Sequence, residues 1–194
     1  MRSEIALVVL AGGEGSRIGG NKPLRSLGGV PLIDRAIMLA NSYSDLVGIA
    51  VRDPVQVGET DVPILQDHCA EGPVGGLVAG LQFAKESGRR LVLTIPADMP
   101  FLPGDLLDRL IEDIGSNACA IAASGGHSHP VCSLWRTDVL ASVPEYLATG
   151  RRSLRGLAEL VGHSTVDWPA GDSDPFFNIN TEEDLAEAER RLDR

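Results

Sequence analysis

Short, unbroken apolar runs alternate along this chain with longer stretches in which apolar residues return every three or four positions. The runs predict strands at Ile5–Leu10, Leu46–Val51, Val62–Leu65, Arg90–Ile95, Ala118–Ala123 and Pro130–Trp135, with a further strand around Ser164–Asp167. Helical spacing predicts a helix over Pro31–Ser42, where Leu32, Ala36, Ile37 and Leu39 share a side, and another over Gly75–Glu86. A third is expected over Pro103–Ile114 with proline in its first turn, then two shorter helical stretches broken at Pro144. The last runs from Thr181 to about Leu192 and opens on a capping box, Thr181 to Asp184, with Asp in place of the usual Glu.

Alternating β and α units predict an α/β fold: a three-layer α/β/α sandwich around a Rossmann-like, mostly parallel sheet. The 194 residues suit a single domain spanning 1–194, with no repeat, low-complexity tract or long linker. Ligands of such sheets bind at the carboxyl ends of the strands, which is where chemistry is sought.

Composition narrows the ligand. Seventeen basic against 27 acidic residues give a formal charge of −10, a surface that repels polyanions and argues against nucleic acid. A phosphate site in such a chain has to be made locally, from backbone dipoles, a few cations and a metal ion. Aromatics are 4% of residues, too few for a stacking platform. Cys69, Cys119 and Cys132 form no C-x-x-C pair and read as free thiols of a reducing compartment. No apolar run is long enough for a secretion signal or a membrane span, so a cytoplasmic protein is expected.

The first strand releases the loop Gly12-Gly13-Glu14-Gly15-Ser16-Arg17-Ile18-Gly19-Gly20-Asn21-Lys22, bare backbone with two cations at its far part. Glycines let N–H groups approach phosphate oxygens, and Arg17 and Lys22 offset phosphate charge. The loop fits neither better-known pattern. Ile18 stands where G-x-G-x-x-G needs its third glycine, and Asn21 stands where a Walker loop needs lysine. A triphosphate is indicated, rather than a dinucleotide.

Three further segments lie at predicted strand ends. In Pro96-Ala97-Asp98-Met99-Pro100, flanking prolines are expected to hold the backbone extended, and Asp98 is placed to hold Mg²⁺ with water and phosphate oxygens. Its plainer role is a loop hydrogen bond. Asp67, before Gly72-Pro73, is a natural partner for the N1–H and exocyclic amine of guanine, or else a turn aspartate. In Phe177-Asn178-Ile179-Asn180, an extended backbone puts both asparagines on one face, to orient phosphates or an acceptor, or simply to cap the helix that follows. His127 and His129 are read as part of a Gly-rich turn ahead of the strand at Pro130, with contact to a second substrate as the alternative.

These segments, in this order, resemble the MobA family, the molybdenum cofactor guanylyltransferases of the wider nucleotidyltransferase superfamily, over essentially the whole chain. The matching motifs are the Leu-Ala-Gly-Gly loop through Lys22, Asp67 with Gly-Pro-Val-Gly-Gly-Leu, Asp98-Met-Pro-Phe-Leu-Pro, and Asn-Ile-Asn-Thr-Glu-Glu-Asp-Leu. The resemblance implies the nucleotide-diphospho-sugar transferase type of fold. It implies that Leu10, Ala11, Gly12, Gly13 and Ser16 bind the nucleotide, with Lys22, Asp67 and Asp98 contributing. Arg17, Lys22 and Asp98 would carry catalysis, Asp98 would hold Mg²⁺, and Asn178 and Asn180 would serve the acceptor or phosphate side. The implied reaction is transfer of GMP from GTP to molybdenum-bearing molybdopterin, releasing pyrophosphate. The implied partners are GTP, the molybdopterin cofactor, and other cofactor-biosynthesis proteins or the recipient molybdoenzyme.

This chain departs from the family at three positions. Ile18 replaces a usual Met, Asn21 replaces a usual Asp, and Ala50-Val51-Arg52 occupies the place of an asparagine common near the end of the second strand. The alternatives are a related nucleotidyltransferase using CTP or a sugar-phosphate acceptor, and a non-catalytic nucleotide-binding regulatory protein. Cytidylyltransferases usually carry Leu-Ala-Ala-Gly, so Gly12 leans toward guanine.

Overall fold

The computed structural model describes residues 2–12, 21–66, 72–169, 171 and 174–192. Strand β1 (Ile5–Leu10) lies inside a seven-stranded sheet with β4 (Val47–Val51), β5 (Ile64–Gln66), β6 (Leu91–Pro96), β7 (Cys119–Ser124), β8 (His127–Arg136) and β9 (His163–Trp168). The order is β5-β4-β1-β6-β8-β7-β9. All neighbours pair in parallel except β8, which runs against both β6 and β7. A two-stranded ribbon, β2 (Ser26–Leu27) and β3 (Val30–Pro31), stands apart.

The sheet is covered on both sides, as its unbroken apolar strands require. Ile5, Leu7 and Val9 of β1 face helices α1 (Leu32–Tyr43) and α3 (Leu106–Ile114). Ala6 and Val8 face α2 (Pro73–Glu86), α4 (Val143–Ala148) and α5 (Leu154–Val161). The three-layer sandwich expected from the sequence is the fold that forms. Helix α6 (Glu182–Leu192) packs separately, closing Ala188 on Leu27, Leu32 and Ile179.

Helix α2 lies unusually low on the sheet. A Cβ at Gly80 would come within 2.7 Å of Val8 Cγ2, and one at Gly76 within 2.9 Å of Leu10 Cδ2. Glycines four apart give α2 a bare stripe that drops onto β1, carrying its N-terminus, Gly72-Pro73, to the carboxyl edge of the sheet.

Three sequence expectations need correction here. Helix α3 begins at Leu106, leaving Pro103 outside it as the acceptor of a turn from Leu106 N–H (3.0 Å). Pro144 does not break a helix; it sits in the first turn of α4, where its missing N–H costs nothing. His127 and His129 belong to β8, not to a turn, because Gly125 and Gly126 both take positive φ (54° and 79°) and close a two-residue hairpin ahead of them. Gly28-Gly29 does the same between β2 and β3, a ribbon too short to show as an apolar run. Where the β7–β8 register shifts between Ile121 and Ala122, Pro130 falls in the irregular part of β8, where it interrupts no ladder.

Candidate active site

Strands β4, β1 and β6 are parallel neighbours, so their carboxyl ends stop together. Leu10 is in register with Ala50 on one side and Pro96 on the other. Ala11 N–H donates to Ala50 C=O (2.9 Å) and Ala97 N–H to Leu10 C=O (3.1 Å), carrying the three-strand alignment one residue beyond the sheet. Above these ends lies a cleft of about 360 Å³, lined by Leu10, Gly12, Arg52, Gly76, Asp98 and Asn178 among others. A separate, smaller pocket that shares Leu10 and Asp98 with it is lined by Ala11, Lys22 and Ala97.

The backbone at Asp98 is not extended, contrary to the expectation from its flanking prolines. Ala97 and Asp98 turn, and the Asp98 carbonyl accepts from Ile179 N–H (3.0 Å). That bond docks the 174–180 segment against the end of β6. Ile179 is fully buried, so Asn178 and Asn180 point the other way, as the two-residue period requires.

They meet Lys22. Its ammonium donates to Asp98 Oδ2, to Asn180 Oδ1 at 2.9 Å and to Asn178 Oδ1 at 3.5 Å. The residue is buried, with its side chain only 10% exposed, and its three acceptors satisfy the charge that burial would otherwise penalise. Asn21 sets the direction of that side chain. It holds the left-handed conformation (φ 48°, ψ 37°), the sole non-glycine with positive φ among the described residues, and releases the chain into a one-turn helix at Lys22–Leu24. Asn and Asp both tolerate this region better than most residues, so the backbone accounts for a residue of this shape at position 21 and not for the loss of the charge.

The 174–180 segment is fixed at both ends. At its start Asp174 Oδ1 accepts from Ser124 Oγ and from Phe176 N–H, each at 2.9 Å. Ser124 Oγ also bonds His129 Nε2 (2.8 Å), whose ring stacks on Phe176 at 4.5 Å. Burial holds the His129 imidazole below its ordinary pKa; the Asp174 charge opposes this and His127 adds to it. At the far end the expected capping box forms: Asp184 Oδ2 accepts from Thr181 N–H (2.9 Å) and Asn180 N–H (2.8 Å), while Asp184 N–H donates to Thr181 Oγ1 (3.1 Å). Burial pushes the Asp184 carboxyl up, but those N–H groups, the Thr181 hydroxyl and the charge on Lys22 outweigh it and leave the pKa lowered.

Cys119 and Cys132 are free and buried, and burial raises both thiols well above their ordinary pKa, so neither supplies a nucleophile. No helix among the described residues is long and apolar enough to cross a membrane.

A family model for the MobA-like NTP transferase domain matches residues 7–165. The chain belongs to that family. A molybdenum cofactor guanylyltransferase of Cereibacter sphaeroides is 40% identical over 187 residues, covering 95% of each chain. One from Serratia proteamaculans is 33% identical over 188 residues, covering 95% of this chain and 93% of its own. Among solved structures, molybdopterin-guanine dinucleotide biosynthesis protein A of Archaeoglobus fulgidus superposes with a TM-score of 0.77 at 22% identity, covering 97% of this chain and 98% of its own. A 4-diphosphocytidyl-2C-methyl-D-erythritol synthase of Anaerococcus prevotii superposes with a TM-score of 0.76 at 17% identity, covering 100% and 97%. Two enzymes with such different names fit equally well, so the fold does not choose the nucleotide.

In this MobA-like transferase, Leu10, Gly12, Asp98 and Asn178 line the cleft, Ala11 and Lys22 line the pocket beside it, and Asn180 joins them through its bond to Lys22. The expectations for Gly13, Ser16, Arg17 and Asp67 lie outside the described residues. The residues at the cleft donate few metal ligands: no group of three or more His, Cys, Asp or Glu gathers among the described residues. Asp98 Oδ1 is nonetheless buried without a hydrogen-bond partner, a free acceptor beside the one that Lys22 takes. One carboxylate with an open oxygen fits Mg²⁺, which takes one or two carboxylates and completes its octahedron with water and substrate phosphates.

Two roles were missed. Arg52 lines the cleft just after β4, and its signal was a charged residue directly following a fully apolar strand. His129 braces the asparagine segment through contacts with residues some 45 positions away, for which the sequence carries no local signal.

Proposed function

We propose that this MobA-like transferase moves GMP from GTP to the terminal phosphate of molybdenum-bearing molybdopterin, forming the guanine dinucleotide cofactor. The reading is carried by Lys22, held by Asp98, Asn178 and Asn180 at one end of a cleft whose other end is apolar, in a chain whose relatives bear the name guanylyltransferase.

An oxygen of the acceptor phosphate forms a bond to the α-phosphorus, the α–β bridging P–O bond breaks, and pyrophosphate leaves with the electron pair. The attacking oxygen is already anionic at neutral pH, so no general base is required. What the protein supplies is alignment and fixed positive charge. The Lys22 ammonium is held in place before substrate arrives, so little reorganisation is needed when charge builds on the phosphates. Asn178 and Asn180 hold that ammonium and present their amide N–H groups to the acceptor phosphate. Arg17, Gly13 and Ser16 complete the phosphate loop, and Asp67 takes the N1–H and amine of guanine. When bound at Asp98, Mg²⁺ supplies further positive charge beside the phosphates. The enzyme works in the cytoplasm with GTP and the molybdopterin cofactor, and hands its product to other cofactor-biosynthesis proteins or the recipient molybdoenzyme.

The test is pyrophosphate release in the presence of the pterin acceptor and Mg²⁺, with GTP, CTP and ATP in turn. Release with GTP alone is expected. Release with CTP alone would make the chain a cytidylyltransferase, and none with any nucleotide would remove it from the enzymes.

A further inference from the structure

Arg52 is the first residue beyond β4, and Asp98 lies just past the end of β6. One strand, β1, separates β4 from β6. The two side chains therefore leave the sheet two strand spacings apart, about 10 Å. Lys22 and Asp98 occupy the phosphate end, which leaves Arg52 at the opposite end of the cleft. Between them the lining includes Leu10, Ala50 and Gly76, an apolar wall that forms where α2 approaches the sheet closely at Gly76. That is a surface for the face of a base.

Arg52 differs from the other arginines of this acidic chain. Each of the others with a described side chain donates to a protein oxygen: a carboxylate for Arg25, Arg90, Arg151, Arg155, Arg190 and Arg191. A backbone carbonyl serves Arg35, Arg89, Arg109, Arg136 and Arg152. Arg52 has no such partner among the described residues, although the chain carries 27 acidic residues. Its stem starts beside Gly12, with Cγ 4.0 Å from where a Gly12 Cβ would stand, and Arg52 lines the cleft wall with its donors unmatched among the described residues.

We infer that Arg52 reads the base: its guanidinium donates two parallel hydrogen bonds to O6 and N7 of guanine. This rests on the guanylyl-transfer reading above and names the residue that makes that choice from the N7 side. The chemistry is selective. Guanine alone among the common bases places two acceptors side by side on that edge, and a planar fork matches them. Adenine sets its N6 amine beside N7, and cytosine has an amine and a C–H there. An asparagine at this position offers one donor group instead of a fork, so the replacement noted at the end of the second strand changes how the base is held.

The experiment is equilibrium binding of GTP, 7-deaza-GTP (N7 replaced by C–H), ATP and CTP, each with Mg²⁺, to the full chain and to Arg52→Ala and Arg52→Lys. The wild type is expected to bind 7-deaza-GTP about fivefold more weakly than GTP, and Arg52→Ala to lose at least about tenfold for GTP. In both variants GTP and 7-deaza-GTP should become nearly equal, because lysine keeps the charge and loses the fork. Thermal melting of the variants should match the wild type, since Arg52 is exposed. Three results overturn the inference: a wild type indifferent to the N7 change, an Arg52→Ala loss equal for GTP, ATP and CTP, or full GTP affinity and N7 discrimination in Arg52→Lys. A wild type that prefers GTP but ignores N7 defeats this inference alone. A wild type with no preference for GTP defeats the guanylyl-transfer reading and this inference with it.

Discussion

At one end of the cleft Asp98, Asn178 and Asn180 converge on the buried Lys22 ammonium; at the other, Arg52 stands exposed beside Leu10, Ala50 and Gly76, with no hydrogen-bond partner among the described residues. The first end is assembled before any substrate arrives. Charge fixed in that way acts on the transition state without waiting for side chains to reorganise, so changes there are expected in rate. The second end is a shape with one free donor group, so changes there are expected in affinity and in choice of base.

The sharpest way to break that comparison is Asp98→Ala. It removes the proposed metal ligand and leaves the Lys22 charge with two amide acceptors. Turnover should fall about a thousandfold at saturating GTP, while the GTP dissociation constant changes by less than tenfold. Pyrophosphate release and direct binding measure the two separately. A variant with near-normal turnover would falsify the metal role of Asp98. Gly76→Val tests the apolar end. Its Cβ would stand 2.9 Å from Leu10 Cδ2 and 3.2 Å from Ala50 Cβ, and lifting α2 to make room should cost about 3 kcal/mol by chemical denaturation. KM for GTP should rise more than kcat falls; the reverse would mean the slot does not receive the base.

Asn21→Ala probes the backbone beneath the polar end. An alanine held at φ 48° should destabilise the chain by about 1 kcal/mol, and Asn21→Gly should restore most of it. If alanine is neutral, the left-handed turn is not what selects this residue. The smallest effect concerns His129. Its folded pKa lies below the ordinary 6.5, so the unfolded chain binds more protons as pH drops below that value. Stability from this group is complete above about pH 6.5 and declines as pH falls toward the folded pKa. Melting temperatures between pH 7.5 and 5.5 should show the decline, and His129→Phe, which retains an aromatic ring against Phe176, should flatten it.

Features with a local cause were legible in the sequence. The first strand was read residue for residue, because an unbroken apolar run can only be satisfied between two covering layers. The Thr181–Asp184 box and the shared face of Asn178 and Asn180 follow from dihedral geometry over three or four residues. The direction of β8 was not legible, since an apolar block reads the same either way along the chain. Only Gly125-Gly126 pointed to a hairpin. The roles of Pro103 and Pro144 were each misplaced by a few residues, because a proline marks a helix boundary without saying on which side it falls.

By itself, then, the sequence determined an α/β sandwich with a glycine-rich stretch after its first strand, through periodicity and backbone sterics that act over a few residues. Tertiary structure alone decided which charges meet. Lys22 reaches Asp98 across 76 positions and Asn180 across 158, and nothing local encodes such distances. It also set Arg52 at the far end of the cleft from Asp98, because strand order places β1 between them, and no side chain among the described residues bonds to it.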